Sequence, residues 1–434
     1  MMKGDKMKCD LIVVGGGPAG LMAAKQAAED GMKVVLVERK KNVSKIDRAC
    51  LQTFYIHKIT ASPEVEAGKS RADGYIDPVS VELLPDRCRF HFPVPGFSLD
   101  YEGSYAPYYH WIDLSPSGHM IHRHKPNDKV WALFYDKEVL LAGILAAAQK
   151  AGAEVLAETI AVGAENVSGG VKVRVRDRSG ERILEARAAI AADGINSTIV
   201  ESLGLNKERK VMSPPIKIVD YEMEGMETSL PKFSMPWITV PSLSPYGNYG
   251  ICLRPEGRQS LWVMTSGNLV PSELLDKFMK YPTFAPWFRK AKIVRRTAAS
   301  AEPGLRTPIK VPVTGNVVIV GDAGAPVETW IQGALACGFQ AVKAIKKELE
   351  GQKGFPEYVN WWQKAFAFND PHYWKVAGVF PLNYICTDEE VDYLYSLFEG
   401  RIGCATGMIA KNLTLIKQQK PALYDKLTKT LPSG

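Results

Sequence analysis

The stretch that decides the fold is CDLIVVGGGPAGLMAAKQAAEDGMKVVLVE, residues 9–38. It predicts a buried strand at Leu11–Val14, a tight turn through Gly15–Gly20, an alanine-rich helix, and a second strand at Val34–Val37 that ends on Glu38. Strand, glycine turn, helix, strand and acid in this order are typical of a dinucleotide-binding βαβ unit.

The glycine spacing assigns a task to each part of this unit. In G-x-G-x-x-G the first glycine makes the turn, the second lets the backbone approach a pyrophosphate, and the third lets helix and strand pack closely. The helix start offers free N–H groups to phosphates, and the acid accepts the hydroxyls of a ribose. A glycine turn without a ligand would explain neither the acid nor its placement. The predicted dinucleotide contacts are Gly15, Gly17, Pro18, Ala19, Gly20 and Glu38.

The composition limits the class of protein, the number of domains and the kinds of binding site. A chain of 434 residues predicts two or three domains, and 46% hydrophobic with 23% charged residues is typical of a globular protein. The net charge of +7 comes without a long Lys/Arg block, so we do not expect a nucleic-acid partner. Seven scattered cysteines without a C-x-x-C pair favour a reducing compartment and argue against a zinc or iron–sulfur site.

The apolar runs are too short for a membrane-spanning helix, and the first of them leads directly into the glycine turn rather than into a signal-peptide cleavage site. We therefore expect a cytoplasmic protein with, at most, peripheral contact with a membrane.

A basic segment follows Glu38 and has two interpretations. It is either a solvated loop or a segment that runs over the cofactor. In the second interpretation Arg39 and Arg48 contact the cofactor, Arg48 at a phosphate, and Cys50 lies near a redox centre.

Residues 60–125 are rich in aromatic side chains, which are either core or the lining of an apolar ligand cavity. His119, His122 and His124 lie close together without a neighbouring acid or cysteine in a metal-site pattern. We place them at the surface or at the edge of the site, and we predict no metal.

The middle of the chain is predicted to contain a helix, then several strands, and then an antiparallel sheet. A helix is predicted over Asp136–Gly152, followed by strands that end at Ala192, with a hairpin turn at Ser179-Gly180. From about 217 to 297 strand-like runs predict an antiparallel sheet with one short helix, Ser272–Tyr281. The runs are Ile216–Met223, Trp237–Val240, Gly250–Arg254 and Ser260–Thr265.

Two later strand ends carry acids. Asp193-Gly194 follows the strand that ends at Ala192, and Gly321-Asp322 follows the run Gly315–Val320. A helix is predicted after that, at about Gly333–Leu349. With the glycine turn, these motifs make the chain resemble the flavoprotein hydroxylase superfamily of para-hydroxybenzoate hydroxylase, and within it most closely the geranylgeranyl reductase branch.

The resemblance implies an α/β fold. An FAD-binding, Rossmann-like domain of the glutathione-reductase type (1–60, 125–205 and 300–350) is interrupted by an antiparallel-sheet substrate domain (61–124 and 206–299). A mostly helical C-terminal segment, 351–434, follows.

The resemblance also implies FAD contacts. Asp193-Gly194 would lie near the pyrophosphate and Gly321-Asp322 at the ribityl chain, whereas Gln332-Gly333 would start a helix whose dipole faces the isoalloxazine. Both acids could instead cap turns. NAD has no ribityl chain and would not need the third motif.

The catalytic candidates are Cys50, which echoes a cysteine of the reductases, and Tyr246 and Tyr249, which echo their substrate-domain pattern. The expected reaction is reduction of carbon–carbon double bonds in an apolar, isoprenoid-like substrate. An aromatic monooxygenase and a flavin electron-transfer protein remain alternatives. A second glycine fingerprint is missing from the sequence, so electrons would come from transiently bound NAD(P)H or from a reduced carrier protein.

Overall fold

The computed structural model describes residues 9–56, 75–123, 130–245, 247–326, 328–370, 382–403 and 405–429. The strands are β1 Cys9–Val14, β2 Val34–Val37, β3 Thr53–Tyr55, β4 Ser80–Leu83, β5 Cys88–Phe92, β6 Phe97–Tyr101, β7 Tyr105–Tyr108, β8 His110–Leu114, β9 Met120–His122, β10 Ala132–Tyr135, β11 Glu154–Leu156, β12 Ile160–Val167, β13 Gly170–Asp177, β14 Gly180–Ala191, β15 Ile216–Glu224, β16 Ser234–Ile238, β17 Tyr249–Leu253, β18 Gln259–Ser266, β19 Lys292–Ala301, β20 Val313–Thr314 and β21 Val317–Ile319. The helices are α1 Pro18–Glu29, α2 Lys137–Lys150, α3 Thr198–Ser202, α4 Pro271–Phe278, α5 Trp330–Leu349, α6 Gly354–Ala365, α7 Leu382–Ile385, α8 Asp388–Ser396, α9 Ala405–Lys411, α10 Leu413–Gln419 and α11 Pro421–Thr428.

The first sheet has a parallel core in the order β11-β2-β1-β14-β21. Its central strand β1 has Leu11, Ile12 and Val13 fully buried, because helices and loops cover both faces. The first half of the long strand β14 forms an antiparallel meander with β13 and β12. The hairpin predicted at Ser179-Gly180 connects β13 to β14, as the sequence indicates.

Helices α1 and α5 cover one face of this sheet and cross at very close range. A Cβ atom built on Gly338 of α5 would lie 2.1 Å from the carbonyl oxygen of Ala19 in α1. The facing side of α1 is made of small buried side chains, including Ala23 and Ala27. Small residues on both helices therefore set the distance between them.

The second sheet contains seven strands in the order β19-β15-β18-β17-β16-β8-β9. The predicted antiparallel character holds for every pair but one, since β16 and β8 run parallel. That pair brings His110–Leu114, from an earlier part of the chain, into the sheet. Helix α4 packs on one face through Leu275 and Phe278.

Helices α8 to α11 form a separate apolar cluster that docks on the second sheet. Asp392 accepts hydrogen bonds from the N–H and O–H of Ser117, at 2.8 and 2.6 Å, and Asp388 does the same for Ser242 at the same distances. The predicted helical character of this part agrees with the residues described. Among those residues, no helix combines the length and apolar composition that a bilayer crossing requires.

Candidate functional site

The three sequence motifs meet at one edge of the first sheet, where β1, β14 and β21 all end. Backbone hydrogen bonds tie the three turns together, from Ala192 N–H to Val14 O at 2.8 Å and from Val320 N–H to Ala191 O at 3.0 Å. A cleft of about 890 Å³ opens here. Its walls include all three turns, the loop 45–53, Lys137 and the start of α5.

The glycine turn has the geometry that the spacing predicts. Gly15 has φ +105°, and a Cβ atom there would lie 2.4 Å from the carbonyl oxygen of Ala192. A Cβ on Gly20 would lie 1.8 Å from the oxygen of Gly15, so helix and turn touch. Beside Gly17, in contrast, the space within 4 Å is free. Gly17 is also the N-cap of α1 and supplies no capping side chain, which leaves the helix start open to an anion.

Glu38 is a buried acid whose carboxylate faces the same turn. It accepts hydrogen bonds from Gly16 N–H at 2.5 Å and from Lys40 N–H at 2.9 Å. A carboxylate offers about four acceptor sites, so two bonds leave capacity for ribose hydroxyls on the side that lines the cleft.

Asp193 lines the cleft but uses its carboxylate within its own chain. It accepts hydrogen bonds from Ser197 O–H at 2.6 Å and from Ile199 N–H at 3.2 Å, at the start of α3. Burial raises the pKa of this carboxyl, and the hydrogen bonds to Ser197 and Ile199 oppose that rise. Asp193 therefore holds the shape of the turn, and Gly194, with φ +82°, presents backbone to the cleft.

The two carboxylate oxygens of Asp322, which lines the cleft, have different hydrogen-bond partners. Its Oδ1 accepts from both the N–H and the O–H of Thr329, each at 2.8 Å. Its Oδ2 has no hydrogen bond to any of the residues described. A half-buried carboxylate held by one oxygen, with the other facing a cleft, fits the hydroxyls of a ribityl chain.

The two predicted arginines differ in their surroundings. Arg39 pairs with Asp47 at 2.5 Å and is mostly exposed to solvent. Arg48 lies inside the cleft, with Nη1 3.6 Å from the position of a Cβ on Gly194. It forms no ion pair within the described ranges and is the better placed of the two for a phosphate.

Gln332 and Gly333 are not where the sequence predicts them. Helix α5 begins at Trp330, before the predicted start, and neither residue lines the cleft. Gln332 is fully buried, and both polar atoms of its amide lack partners among the residues described. Gly333 packs against Phe366, where a Cβ would lie 2.9 Å from Cε1. Trp330, Ile331 and Ala334 occupy the wall of the cleft instead.

Two family models match the chain. One describes an FAD dependent oxidoreductase and covers residues 10–43, and the other describes an FAD binding domain and covers residues 129–267.

Curated relatives match over most of their length. The digeranylgeranylglycerophospholipid reductase of Methanocaldococcus jannaschii is 24% identical over 377 residues, which are 82% of each chain. That of Methanothrix thermoacetophila is 26% identical, over 83% of this chain and 84% of its own.

The chain is an FAD-dependent oxidoreductase. This flavoprotein is similar to reductases of the geranylgeranyl reductase branch, and the resemblance found in the sequence is thereby confirmed.

Solved structures share the fold. A geranylgeranyl bacteriochlorophyll reductase-like protein from Thermoplasma acidophilum has a TM-score of 0.68 at 18% identity, with 98% of this chain and 99% of that chain covered. A p-nitrophenol 4-monooxygenase from Pseudomonas putida has a TM-score of 0.61 at 15% identity, with 96% and 97% covered.

Cys50 lines the cleft of the flavoprotein. It is half-buried, and Lys137 Nζ lies 3.3 Å from its Sγ and donates to it. Buried Arg254 holds the backbone here by donating to Cys50 O at 3.0 Å and to Leu51 O at 2.9 Å. Arg254 in turn pairs with buried Asp220. Nothing in the sequence indicated these partners, since Arg254 lies 204 positions from Cys50.

The proposed catalytic role of Tyr249 does not agree with its position. Tyr249 is fully buried in the second sheet, stacks on Phe278 with ring centroids 4.2 Å apart, and donates its O–H to Leu274 O at 3.2 Å. It is a core residue that does not reach the cleft. The predicted strand-like run begins at Gly250, whereas Tyr249 is the first residue of β17 and its side chain lies under α4. Tyr246 and His124 lie outside the described residues.

The aromatic side chains of residues 90–111 are mostly core, one of the two predicted alternatives. Phe90, Phe92 and Tyr101 pack in the core cluster beside the first sheet. Tyr108 and Trp111 belong to a second, mostly buried cluster, the aromatic wall, which we define as Tyr55, Tyr108, Trp111, Trp131, Phe134, Trp262 and Trp330. Trp111 and Trp131 stack with centroids 4.5 Å apart, and Trp330 meets Tyr55 edge to face at 4.4 Å. The wall reaches the cleft at Trp330.

Proposed function

We propose that this flavoprotein reduces carbon–carbon double bonds of an isoprenoid-like lipid. One observation carries the proposal: Trp330, which packs against the buried aromatic wall, lines the cleft that fits a dinucleotide, and Cys50 and Lys137 line the same cleft. An apolar polyprenyl chain needs apolar side chains of this kind in its site, since apolar ligands bind in pockets lined by aromatic and aliphatic side chains. The relatives are named for reduction of a digeranylgeranyl lipid, which supports the same substrate class.

The residues in the cleft support this role by binding and orientation. FAD, when bound and reduced, supplies hydride chemistry. The glycine turn, Glu38 and Asp322 would hold its phosphates and hydroxyls. Arg48 would contribute positive charge, and Trp330 would keep water away from the apolar side.

The test is anaerobic reoxidation of the chemically reduced flavoprotein by a geranylgeranyl lipid. We expect the oxidised flavin spectrum to return and the lipid mass to rise by two hydrogens per reduced bond. A fully saturated lipid of the same length is the control and should leave the flavin reduced. Failure of the unsaturated lipid to reoxidise the flavin contradicts the proposal. Substrate-stimulated oxygen consumption with hydroxylation of an aromatic compound would establish the monooxygenase alternative instead.

We further propose that electrons arrive from a transient donor, NAD(P)H or a reduced carrier protein. The single glycine fingerprint supports this, because a resident nicotinamide domain needs its own. Direct bleaching of the flavin by NADPH, compared with bleaching by a reduced ferredoxin-type carrier, distinguishes the two.

Peripheral contact with a membrane also belongs to the proposal. A lipid substrate must be taken from a bilayer, and residues 405–429 carry five lysines and one acid beside partly exposed Leu415. Co-sedimentation with anionic vesicles, and none with neutral vesicles, is the expected result.

A further inference from the structure

Glu328 is an acid of the cleft that none of the sequence motifs selected. It lies between Asp322 and Trp330, in the connection that leads into α5. Its side chain lines the cleft and is accessible to solvent. Within the part of the chain described, no hydrogen bond reaches its carboxyl group.

The charged and titratable groups that face Glu328 come from four parts of the chain. Asp322 is the near acid, Arg48 and Lys137 are the cations, and the Tyr55 hydroxyl lies on the aromatic wall. Partial desolvation inside the cleft and the negative charge of Asp322 raise the pKa of Glu328, while Arg48 and Lys137 oppose the rise.

The two neighbouring carboxyls are held differently. Asp322 receives two hydrogen bonds from Thr329, whereas Glu328 receives none from the described residues. Glu328 and Asp322 line the same cleft, and the carboxyl without hydrogen-bond donors is the less favourable place for a negative charge. Of these two acids, Glu328 is therefore the one whose surroundings favour the protonated form.

We propose that Glu328 is the proton donor for the carbon–carbon double bond, an inference that rests on the proposed reduction. The double bond takes a hydride at one carbon, from reduced FAD, and a proton at the other. The O–H bond of the Glu328 carboxyl breaks, a C–H bond forms, and a carboxylate remains that solvent reprotonates. The two carbons gain H⁻ and H⁺ together, so the substrate is reduced by two electrons and the flavin is oxidised by two.

Lys137 interacts with both candidate proton donors, Cys50 and Glu328. Its ammonium group contacts Cys50 and also acts on Glu328, so it faces both groups in the cleft that could carry a proton. A carboxylate formed at Glu328 would find Lys137 and Arg48 as its compensating charges. Cys50 is the competing donor, and the experiment separates the two.

The experiment compares Glu328→Gln with Cys50→Ser and with Glu357→Gln, a surface control whose native acid pairs with Lys347. Each holoenzyme is reduced chemically and mixed anaerobically with the geranylgeranyl lipid over a range of pH. Glu328 must be protonated to donate, so the native rate should be full below its raised pKa and fall as the pH rises through it. Glu328→Gln should lose this dependence and react about 100-fold more slowly or worse, with flavin occupancy unchanged.

A second readout does not depend on turnover. The infrared difference between native and Glu328→Gln holoenzyme at neutral pH should contain the carbonyl band of a protonated carboxylic acid, and Glu357→Gln should not remove that band. Its absence from the native protein overturns the inference.

The two proposals fail in different ways. If the native flavoprotein reacts with the lipid and Glu328→Gln matches it in rate and pH profile, only the proton-donor inference is wrong. Loss of the pH dependence in Cys50→Ser but not in Glu328→Gln assigns the proton to Cys50. If the native protein fails to react with the lipid, the proposed function itself is wrong.

Discussion

At the scale of single residues, Glu38 is the side chain on which cofactor affinity most depends. Its carboxylate accepts hydrogen bonds from the N–H groups of Gly16 and Lys40, and it has acceptor sites left on the side that lines the cleft. Glu38→Ala removes these hydrogen bonds and the acceptor sites for the ribose, and hydrogen bonds to a charged group contribute about 1.5–3 kcal/mol each. We expect the FAD dissociation constant, followed by flavin fluorescence, to rise about 10- to 100-fold.

The control for this substitution is Glu29→Ala, which removes an exposed acid of α1 that pairs only with Lys25 among the described residues. Its FAD affinity should equal that of the native protein. An FAD dissociation constant of Glu38→Ala equal to that of the native protein would refute the ribose assignment.

At the scale of secondary-structure elements, the crossing of α1 and α5 supports the glycine turn. Gly338→Ala places a methyl group 2.1 Å from Ala19 O, so α1 must move away. Overpacking of this kind costs about 1–3 kcal/mol of unfolding free energy. We expect urea denaturation to show that loss, with weaker FAD binding because α1 carries the turn.

Gly143→Ala is the matched control. Gly143 is an exposed helical glycine in α2 with free space within 4 Å of its would-be Cβ. This substitution should stabilise the protein by up to about 1 kcal/mol. If Gly338→Ala behaves the same way, the crossing is looser than the structure indicates.

The secondary-structure elements also show which features of the fold and the site could be predicted from the sequence. The motifs at Gly15, Asp193 and Asp322 follow strand ends, and parallel strands bring such ends to one edge, so the site could be located from local patterns. Tyr249 could not be assigned, because alternation along a strand does not say which face meets α4 and which meets the ligand. The parallel pairing of β16 with β8 and the early start of α5 at Trp330, which has φ +58°, depend on tertiary packing.

At the scale of the whole molecule, buried Arg254 joins the second sheet to the cofactor loop. It pairs with Asp220 on β15 and holds the carbonyls of Cys50 and Leu51. Arg254→Met leaves Asp220 as an uncompensated buried charge, and breaking a buried pair costs about 3–5 kcal/mol. We expect urea denaturation to show a loss of unfolding free energy of that size, and we expect the flavin to be released at a lower urea concentration than from the native protein.

Adding Asp220→Asn to Arg254→Met should recover part of the lost stability, because the unpaired charge is removed. Arg178→Met, at a largely exposed arginine that pairs with Glu158, should cost at most about 1 kcal/mol. Equal losses for Arg254→Met and Arg178→Met would contradict a special role for the buried pair.

The pairing of β21 with β14 has a consequence for biosynthesis. Val317, the first residue of β21, comes 303 positions after Val14, the last of β1. At about 5–20 residues per second on the ribosome, β1 waits roughly 15–60 s for the strand that completes its ligand edge. During that interval the nascent chain exposes apolar strands and has no complete place for a flavin, so chaperone protection comes first and cofactor capture comes last.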